Sequence, residues 1–126
     1  MNNYKNLMVW KKAVDLSISI YRTTASFSAE EMYGLTSQMR KAAVSISANI
    51  AEGAGRNSSK EFNQLLGIAN GSTNELETLT IIACELDFIK QDKKELYLQH
   101  IVEIQKMIRK LKESLQMEKI KKKMQI

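Results

Sequence analysis

The stretch YGLTSQMRKAAVSISANIAEGAGR, residues 33–56, sorts its residue types by side when it is drawn as a helix. At about 100° per residue, apolar residues fall on one face and polar residues line its edge. The apolar face consists of Leu35, Met39, Ile46, Ile50 and Gly53, the polar stripe of Gln38, Ser45, Asn49, Glu52 and Arg56, and the back of Val44, Ala48 and Ala51. We therefore predict a long helix that other elements can approach both on its apolar face and on its back.

The rest of the chain fits a single all-α domain. Its 126 residues are enough for one buried core and too few for two. The chain has no proline and five glycines, and β-branched alternation is scarce, which favours helices over strands. We predict an antiparallel up-down-up-down four-helix bundle over residues 1–115. Residues 116–126 are either a basic tail or an extension of the last helix, and the pattern leaves both alternatives open.

Helix one, predicted from near Lys5–Leu7 to about Thr24, has two apolar stripes instead of one. The first stripe is Leu7, Trp10, Val14, Ile18 and Tyr21, and the second, roughly opposite, is Val9, Ala13, Leu16 and Ile20. A surface helix normally has a single apolar stripe, so two stripes predict burial on two sides. We expect Trp10 and Tyr21 to pack in the core.

Two further helices follow from a sustained apolar period. Helix three is predicted from a cap at Ser58 or Ser59 to about Asp87, with a 3.5-residue repeat typical of bundle packing. Its core positions are Phe62, Leu65 or Leu66, Ala69, Ser72 or Thr73, Leu76, Leu79, Ala83 and Leu86. Helix four is predicted from a cap at Gln91 or Asp92. Its core positions are Leu96, Ile101, Ile104, Ile108, Leu111 and Leu115.

Two smaller features carry predictions of their own. Ser28 and Glu31 have the spacing of a capping box, which predicts a short helical turn between helices one and two. Gly71 lies inside helix three, where a glycine costs about 1 kcal/mol relative to alanine. We interpret it as a point where another backbone passes close by.

Nothing in the sequence has the form of a catalytic or metal site. The sole histidine, His100, precedes Glu103 but has no glutamate three residues before it, so the Glu-x-x-His pairs of di-iron bundles are missing. One histidine and one cysteine, Cys84, supply too few of the preferred zinc ligands. The segment GAGRNSSK, residues 53–60, lacks the spacing of a phosphate loop. We expect a protein that is not an enzyme and that has no metal and no cofactor.

The cysteine count and the N-terminus predict the compartment. Cys84 has no intrachain partner for a disulfide, and the opening MNNYKNLMVWKK does not have the form of a signal peptide. No apolar run approaches the roughly 20 residues that cross a bilayer. We expect a cytoplasmic protein with no membrane-spanning segment.

Positive charge is concentrated at the end of the chain. Residues 105–126 carry eight basic and two acidic residues, a net charge of +6, whereas the whole chain has +5. Such clusters bind phosphate backbones through counterion release, although isolated lysines are usually only solvated. The candidate nucleic-acid-binding residues are Arg109, Lys110, Lys112, Lys119, Lys121, Lys122 and Lys123. A membrane-surface role is a weaker alternative, because Met117, Ile120, Met124 and Ile126 form only a thin apolar face.

The polar stripe of helix two has two interpretations, whereas its back is interpreted as a surface for assembly. The favoured one is a hydrogen-bond network that fixes helix register or subunit contacts, since an unmatched buried polar group costs about 1–3 kcal/mol. The other is a ligand-facing groove. The residues predicted to serve assembly or helix register are Gln38, Ser45, Asn49, Glu52, Arg56, Val44, Ala48 and Ala51.

Three segments carry a resemblance to a known family. With VWKKA at 9–13, the stretch at 33–56 and GSTNELET at 71–78, the chain resembles the four-helix-bundle family of 23S rRNA intervening-sequence proteins, over roughly Leu7 to Leu115. The family commonly has proline where this chain has Ser28 and Ser47. The serine at position 47 removes a possible kink in helix two. The resemblance implies an antiparallel bundle that forms a homo-oligomer, typically a pentameric ring, in bacteria. It brings no established biochemical activity.

These observations lead to one functional hypothesis and one competitor. The hypothesis is a non-enzymatic homo-oligomer, a pentamer, whose summed basic surface binds nucleic acid, and RNA in particular. The competitor is a scaffold that recruits a protein partner and does not bind nucleic acid.

Overall fold

The chain folds into four α-helices joined by short connections. The computed structural model describes residues 3–125, and over that range it has helices and no strand. The helices are α1 (Met8–Thr24), α2 (Leu35–Ala54), α3 (Ser59–Glu85) and α4 (Gln91–Met124), with 3₁₀ turns at Tyr4–Asn6 and Ala29–Glu31. Residues 1, 2 and 126, which the predicted domain limits include, lie outside the described range. The predicted all-α fold is confirmed.

Side-chain contacts establish the direction of each helix. In three neighbouring pairs, contacts that lie later in one helix lie earlier in the other, so each pair is antiparallel. The contacts are Thr23 with Tyr97 and Lys12 with Glu103 for α1–α4, Ser45 with Ser72 and Gly53 with Phe62 for α2–α3, and Thr73 with Gln105 and Gly67 with Lys112 for α3–α4. Helix α1 is therefore antiparallel to α2 as well, and the bundle is up-down-up-down.

The core is formed by the apolar stripes that helical spacing predicts. The α1 stripe containing Ala13 and Ile20 is buried, and so is the whole apolar face of α2 with Met39 and Ile46 at its centre. On α4, Ile101, Ile104 and Ile108 repeat at steps of three and four and are nearly inaccessible. Each such side chain contributes about 1.5–3 kcal/mol when it is withdrawn from water. Of the other α1 stripe, Leu7 and Trp10 are partly buried against the core, which agrees with the prediction for Trp10. Tyr21 remains 45% exposed, so its predicted place in the core is wrong.

The start of α4 differs from the sequence-based prediction by one position. Leu96 is 44% exposed, whereas Tyr97 is only 2% exposed. The Tyr97 hydroxyl donates a hydrogen bond to the Ser19 carbonyl at 3.0 Å and also contacts the Thr23 hydroxyl, so its polar end has partners on α1. A tyrosine that satisfies its hydroxyl can occupy a core position as well as a leucine can.

The ends of α3 and α4 also correct the prediction. Leu86 is 60% exposed because α3 ends at Glu85 and the chain then turns at Asp87, whose φ is 65°. The residue before α4 is Lys90, so neither Gln91 nor Asp92 caps that helix. The predicted cap of α3 is confirmed, because the Ser58 hydroxyl accepts a hydrogen bond from the Glu61 amide.

The predicted capping box between α1 and α2 is wrong in its chemistry. A 3₁₀ turn does follow Ser28, but the Ser28 side chain makes no capping hydrogen bond. The Glu31 carboxylate instead accepts from the Leu35 amide at 3.2 Å and therefore satisfies a free N–H at the start of α2.

The predicted crossing at Gly71 is wrong, and the close approach occurs at another glycine. A Cβ atom added at Gly71 would meet nothing within 4 Å. A Cβ atom added at Gly53 would lie 2.8 Å from Cδ1 of Phe62. The glycine at the end of α2 is thus the one that lets α3 pack closely.

Candidate nucleic-acid interface

A polar groove of about 560 Å³ runs along the outer side of the α3–α4 pair. Helix α3 contributes Asn63, Asn70 and Asn74, at steps of seven and four that place them on one helical face. Helix α4 contributes Gln105, Ile108, Arg109, Lys112, Glu113 and Gln116. We call this set the amide groove. Five of its nine lining side chains are carboxamides.

One end of the amide groove is closed by hydrogen bonds between the two helices. The Gln105 amide donates to Oδ1 of Asn74 at 3.0 Å and to Oγ1 of Thr73 at 3.1 Å. Within residues 3–125, the side-chain amides of Asn63 and Asn70 make no hydrogen bond to the protein. The donors and acceptors of these two half-buried residues are therefore available to solvent or to a ligand.

The structure divides the seven predicted basic residues between different sides of α4. Arg109 and Lys112 lie in the amide groove itself, and Lys112 extends past Gly67 of α3. Lys119 lines a smaller cleft with Ser59 and Lys60 at the start of α3. The helical period puts Lys123 on the same face as these three, whereas Lys110 and Lys121 point outward and Lys122 lies on a further side.

We call Arg109, Lys112, Lys119 and Lys123 the basic ridge. Lys119 lies opposite Ser59, the first residue of α3, so α4 continues beyond the end of its neighbour. The ridge therefore begins inside the amide groove and continues along the helix extension. Glu113 is the single carboxylate among the lining residues of the groove, which leaves a net positive charge there.

The polar stripe of α2 divides into a buried part and an exposed part. Ser45 and Ser72 share a hydrogen bond of 2.8 Å across the α2–α3 contact, and Asn49 donates to the Ser45 hydroxyl and carbonyl. Glu52 and Arg56 form an exposed ion pair at 2.5 Å. The remaining stripe residue, Gln38, is exposed, as are Val44 and Ala48 on the back, while Ala51 is half-buried.

The outer sides of α1 and α2 carry apolar side chains that the chain covers only in part. Helical geometry turns Trp10, Val14, Ile18 and Tyr21 of α1 and Val44, Ala48 and Ala51 of α2 toward the same side of the bundle. We call this set the α1–α2 face. Ile18, Tyr21 and Val44 are each 42–45% exposed. Arg40 lies over the Tyr21 ring, 4.6 Å from its centroid.

A third polar cluster lies on the α1–α4 seam. The Lys12 ammonium is 2.7 Å from the Glu103 carboxylate, near Asp15 and His100. The hydrogen bond from Lys12 holds the pKa of the Glu103 carboxyl below its ordinary value. Among residues 3–125, no three His, Cys, Asp or Glu side chains are grouped as metal ligands would be. No helix in that range is both long and apolar enough to cross a bilayer.

Sequence reasoning singled out Arg109 and Lys112 but missed the amides around them. A signal was present, because Asn63, Asn70 and Asn74 share one helical face beside the predicted core of α3. It was not informative alone, since polar residues on an outer face are usually only solvated. Pairing α3 with α4 is what places those amides beside the basic residues.

Comparisons with known proteins agree with the fold and give the family. The sequence model of the 23S rRNA-intervening sequence protein family matches residues 5–110. A solved structure of a protein of unknown function from the S23 ribosomal protein family of Bacteroides thetaiotaomicron is similar, with a TM-score of 0.75 and 22% sequence identity, over 83% of this chain and 98% of that one. No curated protein matches the sequence. Because the match extends over most of its length, the chain belongs to the family of 23S rRNA-intervening sequence proteins.

Proposed function

We propose that this protein is a non-enzymatic homo-oligomer of the bacterial cytoplasm that binds RNA through the amide groove and the basic ridge. The observation that carries the proposal is the alignment of four cations, Arg109, Lys112, Lys119 and Lys123, on one face of α4. Cations in a row along a helix follow a phosphate backbone better than the same charges scattered over a surface. Five copies in a ring, as the family resemblance implies, would repeat the row five times.

The α1–α2 face supports the oligomer. Ile18, Tyr21 and Val44 are each 42–45% exposed, and exposed apolar patches on a protein surface mark interaction sites. A second copy that covers Ile18 and Val44 would gain about 25 cal/mol for each Å² of apolar surface removed from water. The same face explains why helices one and two have apolar or small residues on two sides.

The RNA proposal is tested by a salt series. Fluorescence anisotropy with a labelled RNA hairpin measures affinity from low to physiological salt, and the logarithm of the binding constant should fall linearly with the logarithm of salt concentration. Changing Arg109→Gln together with Lys112→Gln should make that slope less steep by about 1.4 to 1.8, because two phosphates are no longer neutralised. The matched control, Lys90→Gln with Lys93→Gln, removes equal charge from the far end of α4 and should leave the slope unchanged. Absence of binding at low salt would reject the proposal.

The oligomer is tested independently of RNA. Multi-angle light scattering of the purified protein at micromolar concentration should give a mass that is a multiple of the 14.4 kDa chain, with five copies the expected number. A mass equal to one chain would contradict the proposal.

A protein-interaction scaffold is a second candidate, and exposed apolar side chains near the end of α3 favour it. Ile81, Ile82 and Leu86 near the end of α3 are 41–60% exposed, far from the basic ridge. A pull-down with and without nuclease separates the two functions. Partners that persist after nuclease treatment support the scaffold, and partners that disappear support nucleic-acid binding.

A further inference from the structure

We infer that the amide groove binds a single-stranded segment of RNA by the edges of its bases, with Asn63 and Asn70 as the base-contacting residues. The inference rests on the proposed function and specifies which form of RNA this site takes. It follows from the chemistry, the unused hydrogen-bonding capacity and the shape of the groove.

Carboxamides suit bases in a way that lysines do not. Each amide presents a donor and an acceptor side by side, the arrangement that matches the adjacent donor and acceptor atoms on a base edge. A lysine ammonium only donates and is equally suited to any phosphate. A surface intended solely for the sugar-phosphate backbone would not need five carboxamides along it.

The hydrogen bonds inside the groove indicate which amides are available. Gln105 and Asn74 are already paired with each other across the two helices and hold that end of the groove in place. Asn63 and Asn70 lie on the same face two turns apart and bond to nothing else among residues 3–125. Of the three asparagines in the groove, they are therefore the two that can pair with a base without breaking an existing hydrogen bond.

The shape of the groove favours the unstacked bases of a single strand over a duplex. The axes of packed helices are about 8–10 Å apart, so the outer valley between α3 and α4 is narrow. In an A-form duplex the base edges of the major groove are recessed beyond the reach of side chains, and protein contacts across the minor groove go mainly to 2′-hydroxyls and phosphates. Unstacked bases of a single strand can enter, and the distance from Asn63 to Asn74, about 16 Å along the helix, accommodates a short run of nucleotides.

The charged residues of the groove complete the site. Arg109 projects from α4 opposite the asparagines, where its planar guanidinium can stack on a base or bind a phosphate. Lys112 lies beside Gly67, which has no side chain to displace its ammonium from the groove. A single strand would thus have bases toward α3 and phosphates toward the basic ridge on α4.

The test compares two RNAs of equal length and two protein variants. Anisotropy titrations use a labelled unstructured oligonucleotide and a blunt duplex at one salt concentration. The variant Asn63→Ala with Asn70→Ala should bind the single strand at least about five-fold more weakly, since an amide–base pair is worth roughly that factor or more. Its affinity for the duplex and its salt slope should not change. Gln64→Ala, an exposed amide on the adjacent side of α3, is the matched control and should bind as the parent protein does.

The outcomes separate this inference from the proposed function. If neither RNA binds at low salt, the proposed function fails and the inference fails with it. If both RNAs bind and the asparagine variant binds the single strand as tightly as the parent, the inference is overturned while RNA binding stands. Should circular dichroism show that the double variant is unfolded, the single variant Asn63→Ala gives the same decision through a smaller decrease in single-strand affinity.

Discussion

The two helix pairs of this bundle are alike inside and different outside. Both pairs bury an apolar stripe against the common core, with Ile20 and Ile46 in one and Leu76 and Ile104 in the other. On the outside, however, the α1–α2 face presents Ile18 and Val44, whereas the α3–α4 pair presents the amide groove and the basic ridge. The core therefore defines the fold, and under the proposed function one outward face serves self-association and the other serves RNA binding.

Under the proposed function, the two surfaces should respond differently to salt, because one is apolar and the other is positively charged. Association through an apolar surface is driven by removal of area from water, and added salt does not weaken it. Binding of phosphates through the basic ridge releases counterions and weakens steeply as salt rises. A condition of high salt should accordingly leave the oligomer intact and release the RNA.

The largest effect is expected from a charge placed on the α1–α2 face. Ala48→Glu should abolish assembly, because a carboxylate facing an apolar partner surface loses its hydration without gaining a partner. Light scattering should then give the mass of one chain, with far-UV circular dichroism nearly unchanged since Ala48 is exposed in the single chain. Gln64→Glu adds the same charge on α3 and should remain assembled. An Ala48→Glu protein that stays assembled would show that this face is not the interface.

The next effect is expected from the extension of α4. Removal of the residues after Glu118 deletes Lys119, Lys121, Lys122 and Lys123. The salt slope of single-strand binding should become less steep by up to about 2.8, since each phosphate that is no longer neutralised accounts for about 0.7. The mass of the assembly should not change, because the extension lies away from the α1–α2 face. A control that keeps the length and replaces only Lys121 and Lys122 by Gln should lower the slope less, since these two lie off the basic ridge.

A smaller effect, on stability alone, is expected from two glycines. Gly71→Ala should raise the free energy of unfolding by about 0.5–1 kcal/mol, because the new methyl group meets open space and the helix gains propensity. Gly53→Ala should lower it by about 1–3 kcal/mol, because the added Cβ overlaps the Phe62 ring. Urea denaturation measures both. If the mass and the RNA affinity of the Gly71 variant also changed, the two surfaces would not be separable from stability.

Helical periodicity predicted the core well because burial on one side follows directly from a 3.6-residue repeat. It predicted Ile101, Ile104 and Ile108 as core residues, and all three are buried. The periodicity failed at the start of α4, where a side-chain contact with α1 decides which residue is buried. Tyr97 displaces Leu96 because its hydroxyl finds partners on α1, which spacing cannot show.

The candidate site could be predicted only in part, because it is formed by two helices. Arg109 and Lys112 were found from charge alone, within one segment of the sequence. Asn63 and Asn70 lie some forty residues earlier. The base-contacting role that we infer for them depends on the pairing of α3 with α4 and on which amides make no hydrogen bond. Neither can be read from the pattern of one helix.

The smallest effect is expected on the α1–α4 seam, which belongs to neither surface and so serves as their common control. The Lys12 hydrogen bond lowers the pKa of the Glu103 carboxyl, so the ion pair stabilises the fold above the unfolded-state pKa of that carboxyl. This stabilisation is lost as the pH falls through the lowered folded-state value. Lys12→Met should therefore raise the pKa of Glu103 toward its ordinary value, as followed by carboxyl carbon NMR, and the stability difference from the parent should vanish in acid. Because both partners are exposed, the difference should be small, and assembly and RNA binding should be unchanged. A change in either would mean that the seam contributes to one of the two surfaces.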